Sequence, residues 1–464
     1  MFVSSKIRVL TDETGASVEI PGLVTPAGVL TPLVDYCLTR RHDRSIVWMS
    51  KVVRSVQMFL EYMHANPSEQ DTYILFRNFA QRLYTGTFDL ETGFDPSWLT
   101  WWPRSAPDAQ HIITDLSLFF EWLGKERPRA AQINPRYAGS AFDSACDSAA
   151  YLQRRDAALL GHTWGAKPSV HALGFKVRAK RRPHVDTANP PAFPDDKFKE
   201  LLNIGFKVGN DFDYRGILIT LLCHGGGFRE SEPFHLYIED VVQDPLNPKS
   251  ALVRIHHPSQ GFAPRGWRDA RGRELKGNRA SYLGKRFGLV PRNEMLSNRA
   301  AGWKGGALDG DYYKEAHWFE PELGELFLVV WQKYLHQVAK VNRTHPFAFI
   351  NLRREPIGDM YTIAQFARAH ANACRRIGLV VSKELGTTPH GHRHSYGRRL
   401  KKGGVGTAFL RKCMHHSSED SQTVYTSPSA EETRNVLQAA SENMRSAHPH
   451  RVVAVEDFEM VTHA

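Results

Sequence analysis

TPHGHRHSYGRRLKKGGVGTAFLRKCMHHSSEDSQTVYT, residues 388–426, is the stretch on which the reading of this chain turns. Histidines flank one arginine, a basic segment follows, then come a second histidine pair and a lone tyrosine, Tyr425. His390, Arg393, His416 and Tyr425 together form a set able to act on a phosphate: a guanidinium holds anionic oxygens with paired donors and keeps its charge, and imidazoles move protons near neutral pH.

Outward from this stretch, the chain is long enough for two or three domains at 464 residues. Its 42% hydrophobic and 23% charged residues exclude a disordered or fibrous chain. The net charge of +11 favours an anionic partner, with nucleic acid the first candidate. No run of about 18 apolar residues predicts a membrane span, and the N-terminus lacks a signal-peptide core. The five cysteines are dispersed, odd in number and form no CxxC, which points to a reducing compartment.

Alternating residues in 1–40 predict short strands around a Thr-Gly turn. Ser45 is placed to cap a helix whose face carries Val52, Val56, Phe59 and Met63. A second helix runs through Tyr73–Leu83, and a third sets Ile112, Leu116, Phe119 and Leu123 on one side. Residues 126–192 read as a linker ending in the basic run Lys176, Arg178, Lys180, Arg181 and Arg182. That run, with Arg44, Lys51 and Arg104, can meet phosphates, although a solvated face explains any one of them as well. RGILITLLC at 215–223 is an apolar helix running into a glycine turn, and SALVRIHHP at 250–258 is a strand. Residues 258–305 form a basic, loop-like insertion in which RFGLVPR is expected to return as a strand.

Breaking a phosphodiester with a tyrosine needs two cationic clamps on the non-bridging oxygens, a base for the phenol and an acid for the leaving oxygen. Three stretches supply these in order: GGGFRESEPFHL at 225–236, HGHRHSYG at 390–397 and HHSSEDSQTVY at 415–425. Together they resemble the tyrosine recombinase (phage integrase) family. The resemblance implies a mainly α fold with a small β-hairpin or sheet. Residues 41–125 would be a helical core-binding domain and 193–445 the catalytic domain, flanked by a 1–40 extension and a 446–464 tail.

The resemblance also implies roles. Arg229 and Arg393 would bind the scissile phosphate, Tyr425 would be the nucleophile, His390 the base and His416 a phosphate donor. Glu232 and His394 would support them. The family's lysine, on a β-hairpin between the first two boxes, maps onto Lys285 or, second, Lys276. His392 and His415 depart from the pattern, the latter standing where the family has a glycine. No cofactor and no metal are expected, since Arg393 amid the histidines opposes a cation. The expected partner is double-stranded DNA, bound by a homotetramer on paired sites and by a monomer or weak dimer when free, in the cytoplasm at a bacterial nucleoid. The expected activity is site-specific recombination serving a mobile element. A type IB-like topoisomerase or a non-catalytic DNA-binding protein of the same fold are the alternatives. The helix after Tyr425, with Val436, Ala440 and Met444 aligned, either docks on a neighbouring protomer or packs on its own domain.

Overall fold

The computed structural model describes residues 2–11, 13, 17–89, 91–127, 133–136, 141–157, 174–180, 190–417, 434, 437–439 and 442. Tyr425, Arg181, Arg182 and the aligned residues of the last helix lie outside these. The chain divides into two compact units, Met1–His184 and Val185–Ala464.

In the first unit an antiparallel sheet of β1 (Val3–Leu10), β2 (Ser17–Thr25) and β3 (Gly28–Val29) leads into α1 (Thr31–Thr39). Then follow α2 (Ile46–Ala65), α3 (Thr72–Thr85), α4 (Ala106–Glu126) and α5 (Ala141–Ala157). Residues 1–40 are not a separate appendage, because Ile20, Leu23, Leu33 and Tyr36 share one core with the helices. Side chains cap three of these helices: Ser45 accepts from the Trp48 amide, Asp71 from Tyr73 and Ile74, and Ser105 from Asp108. The core is aromatic, with Phe59 edge-on to Phe76, Phe79 and Phe120 at 5.3–5.5 Å. Two expectations shift by part of a turn. Met63 is exposed, and on α4 the buried apolar residues are Ala109, Ile113, Leu116, Phe119 and Phe120, while Ile112 and Leu123 are only partly covered.

The second unit opens with a short helix, α6 (Phe198–Glu200), continued by a π turn, and the hairpin β4 (Lys207–Val208) and β5 (Asp211–Phe212). The apolar helix α7 (Tyr214–His224) follows and is buried along its length from Gly216. β6 (Val241–Gln243) and β7 (Ala251–His256) then pair antiparallel. The chain leaves for the basic insertion, which holds α8 (Arg279–Phe287), and returns as β8 (Tyr313–Glu315) beside β7. RFGLVPR is therefore not the returning strand. Asn278 caps α8, Gly288 ends it in the left-handed conformation at φ 64, and a strand cannot begin until that turn is closed. Nor is the insertion mere loop: Trp267, Tyr282, Leu283 and Met295 pack with Tyr237, Phe347 and Met360 from outside it in one core, and the buried Arg279 is paired with Asp240.

Up to residue 417 the unit continues with α9 (Pro321–Val338), α10 (Ile363–Arg376), α11 (Pro389–Lys402) and α12 (Thr407–Cys413). Among the described residues no helix is long and apolar enough to cross a membrane. Three buried histidines tie α11 in place. His392 on α11 meets His224 of α7 through Nδ1 at 3.1 Å and His370 of α10 through Nε2 at 2.7 Å. The aromatic faces of Phe193 and Phe198 stack on two of these rings. A neutral His392 has one donor and one acceptor nitrogen, so it donates to one neighbour and accepts from the other, and the surrounding apolar core opposes a charge on any of the three.

Burial holds His224 and His392 well below the ordinary histidine value and His370 at about 3. The unfolded chain therefore binds more protons than the folded one at any pH below about 6.5. Stability is full above that value and is lost as pH falls from there toward about 3. The melting temperature should drop steadily through this window, and His370→Gln, which keeps a donor and an acceptor without titrating, should make the decline shallower. A slope unchanged by that substitution would remove the histidine chain as its source.

Candidate active site

α7 ends in three consecutive glycines, and the last, Gly227, adopts φ 68. A side chain there would strain the backbone, and its Cβ would lie 2.5 Å from the Tyr396 ring. The turn delivers Arg229. Its amide donates to Glu232 Oε2 at 2.8 Å and its guanidinium to Oε1 at 3.1 Å. Arg393, from the first turns of α11, is buried and donates to the carbonyl oxygens of Gly227 and Met414. One arginine thus braces the turn that carries the other. Tyr396, on the same helix, is buried and donates to the His317 carbonyl at 2.6 Å.

Glu232 is fully buried and accepts from Lys314 Nζ at 2.7 Å. Burial by itself raises its carboxyl, but Lys314, Arg393 and Arg229 outweigh this and hold it at about 2. Lys314 sits on β8 with no exposed side-chain surface, and its ammonium lies 4.4 Å from the Trp303 ring centre. Burial lowers its pKa despite the attraction of Glu232. An ammonium so placed yields its proton more readily than one in water.

The histidines of the quoted stretch divide by position. His390 stands exposed on the first turn of α11, its ring edge-on to His394 at 4.5 Å. Surrounding protein, then the charges of Arg393, Lys304 and Arg229, push it down to about 4. His416 is buried, and burial with Arg393 and Arg229 takes it to about 3. Both rings are therefore neutral at pH 7 and able to accept a proton. His392 faces away from this cluster into the histidine chain. His415 is fully buried at φ 51, a left-handed conformation that costs a residue with a Cβ about 1–2 kcal/mol. Its ring stacks on Phe228 and reaches Asp309 Oδ2 at 2.9 Å.

The structure thus brings Arg229, Glu232, Arg393, His390 and His416 into one electrostatic cluster. Lys285 lies exposed on α8 and Lys276 is exposed in the loop before it. Among the described residues, no hydrogen bond or ion pair joins either to the cluster. The lysine found there, Lys314, escaped the sequence reading because β8 is three residues long. The one available signal was the alternation of DYYKEAHW, 311–318, just past the insertion. Asp309 was missed too. It lies with His317 and His415, ligand atoms within 4.8 Å of one another, a grouping that sequence distance conceals.

The basic residues expected on nucleic acid are exposed in the first unit, as far as they are described. Lys176 and Lys180 extend over Tyr73 and Tyr84, Arg44 packs over Trp48, and Arg104 reaches Met58 Sδ at 3.6 Å. Arg178 donates to the Phe175 carbonyl at 3.2 Å, and Lys51 is solvent-facing on α2. Of the tryptophans, Trp267 lies in the insertion core, Trp303 covers Lys314, and Trp318 donates to the Ala251 carbonyl at 2.8 Å.

Removing Glu232 would leave Lys314 buried and uncompensated. Glu232→Ala is expected to cost about 3–5 kcal/mol in urea denaturation, whereas Lys285→Ala, at an exposed helical site, should stay within about 0.5 kcal/mol. Equal losses would contradict the ion-pair cluster as a keystone of this unit.

Neither a protein-family model nor a curated protein sequence matches this chain. The solved structures that it resembles are tyrosine recombinases and integrases. XerH site-specific recombinase bound to difH substrate, in a pre-cleavage complex, is 13% identical over 88% of this chain and 83% of that one, with a TM-score of 0.47. Its post-cleavage complex gives the same identity and coverage at 0.49. An integrase from mycobacterium phage Brujita is 12% identical over 91% and 94%, with a TM-score of 0.26.

Proposed function

We propose that this chain is a site-specific DNA recombinase that cleaves and rejoins strands through a 3′-phosphotyrosine. The observation that carries the reading is the convergence of Arg229, Arg393, His390, His416 and Lys314 around the buried Glu232, with Tyr425 nine residues beyond His416 in sequence.

In this reading Arg229 and Arg393 hold the non-bridging oxygens of the scissile phosphate, and the transition-state charge that builds there is met by fixed guanidinium groups. The Tyr425 oxygen attacks phosphorus while neutral His390 takes the phenolic proton. The bond from phosphorus to the 5′ oxygen breaks, and Lys314 donates a proton to that oxygen. His416 donates to a phosphate oxygen. The phosphotyrosine conserves the bond for rejoining, so the chemistry draws on no nucleotide or metal. Lys314 replaces Lys285 as the proposed acid because its ammonium is beside the arginines and its lowered pKa suits proton donation at neutral pH. Exchange between two duplexes uses four cleavages, hence a tetramer on paired sites. Service to a mobile element belongs to the same reading.

Nicked genomic DNA fragments from the source organism provide a substrate pool that traps covalent adducts. The parent protein should yield a nucleotide-bearing peptide containing Tyr425, and Tyr425→Phe should yield none. An adduct on another residue, or none from the parent, would refute the mechanism. Arg393→Ala and Lys314→Ala should slow adduct formation by about 10²-fold or more, and Lys285→Ala should leave it unchanged. With His390 at about 4, its base form persists across neutral pH. The rate on subsaturating DNA should therefore hold level from about pH 8 to 6, where an ordinary histidine would lose half its base form near about 6.5. A midpoint near 6.5 would speak against His390 as base.

A further inference from the structure

We propose that Asp309, carried at the end of the basic insertion, is a positioning residue for His416 in the cleavage reaction. The inference rests on the functional reading above and deepens it, since it assigns the insertion a task at the site.

Three consecutive residues after α12 are held by different parts of the unit. The Met414 carbonyl accepts from Arg393. His415 is held by its ring, with Nε2 2.9 Å from Asp309 Oδ2 and 3.1 Å from the Glu315 carbonyl oxygen. His416, next in line, is the residue whose imidazole joins the arginine cluster. Two acceptor oxygens face one nitrogen, so the network assigns the proton of His415 to Nε2. The carboxylate that receives it is fixed in turn. Oδ1 lies 2.8 Å from His317 Nε2, and Oδ2 accepts the Glu315 amide at 2.8 Å. The Asp309 amide also closes the turn into β8 by donating to the Tyr313 carbonyl at 2.9 Å.

The backbone explains why an anchor helps. At φ 51, His415 takes the left-handed position that closes α12, its amide donating to the Lys412 carbonyl at 2.9 Å and the His416 amide to the Arg411 carbonyl at 3.0 Å, and the side-chain contacts offset the cost of a Cβ there. The close fit of the insertion against this point is independent support: a Cβ at Gly306 would collide with the His415 carbonyl oxygen. The opposite face of the His415 ring is covered by Phe228, the residue before Arg229. Through Asp309 and Glu315 on one side and Lys314 on the other, the insertion's returning strand grips both His415 and Glu232. Loss of the Asp309 contact removes the side-chain anchor of the residue before His416 and leaves only the backbone bonds of the α12 end to place it.

The test uses the full-length protein on the nicked genomic fragments. Asp309→Ala should bind a generic duplex with the parent's affinity by fluorescence anisotropy, yet form adduct at saturating DNA about 10- to 100-fold more slowly, the scale of a misplaced group. Asp309→Asn, which keeps an acceptor oxygen, should recover part of the rate. The decisive measurement is the double variant. Since Asp309 acts through His416, Asp309→Ala in a His416→Ala background should add no further loss. Additive losses, or an Asp309→Ala rate equal to the parent's, overturn the proposal. So does a titration with Co²⁺ that produces visible absorption bands dependent on Asp309, His317 and His415, for that would make the trio a metal site. A parent protein that forms no adduct instead overturns the functional reading itself, and a parent that cleaves alongside an equally active Asp309→Ala variant defeats only the positioning role.

Discussion

A single buried carboxylate organises the second unit. Glu232 has no exposed surface, and three cations converge on it: Lys314 in direct contact, Arg229 three residues away in sequence, and Arg393 from a distant helix. Burying any one of these charges alone would cost several kcal/mol, about 3–5 when a partner is lost. Set together, they fix one another. The glycine turn after α7, the strand β8 and the start of α11 must all be correctly placed before the charges balance. The group that makes the folded unit possible therefore also leaves two guanidinium groups assembled beside two neutral histidines.

The arginines in this arrangement are not bound to the same degree. Arg393 gives a donor from each terminal nitrogen to the carbonyl oxygens of Gly227 and Met414 and is buried, so it braces the turn and the segment after α12. Arg229 keeps part of its guanidinium exposed while Glu232 orients the rest. The histidine chain behind α11 has a comparable structural duty. His224, His392 and His370 are linked nitrogen to nitrogen beside Phe193 and Phe198, and burial among these rings favours their neutral forms. His390 and His416 are neutral first because protein surrounds them too, and the nearby arginine charges add to that effect. One short stretch of sequence thus contains histidines serving the core and histidines serving a site.

The basic insertion joins these two themes. It shares an aromatic core with Tyr237, Phe347 and Met360 and is tied to Asp240 by the buried Arg279, and so it keeps a defined shape between β7 and β8. Its last residues reach the centre of the unit, where Trp303 covers Lys314 and Asp309 holds His415. The strand on which this loop-like segment returns carries the most enclosed ammonium of the site, Lys314.

The sequence by itself determined several of the helices, because their apolar spacing and side-chain caps act within a few residues: Ser45 and α2, and the apolar run of α7, follow from local pattern. It also singled out Arg229 and Arg393, since a glycine turn and a histidine-flanked arginine are local signals. Only the tertiary structure decided which lysine stands beside them. Lys276 and Lys285 have the more suggestive neighbours in sequence, yet both face solvent, while Lys314 is drawn in by a carboxylate 82 residues earlier. The same holds for Asp309 and His415, 106 residues apart. Charge pairing across such distances depends on how the sheet returns from the insertion, and no local periodicity records that path.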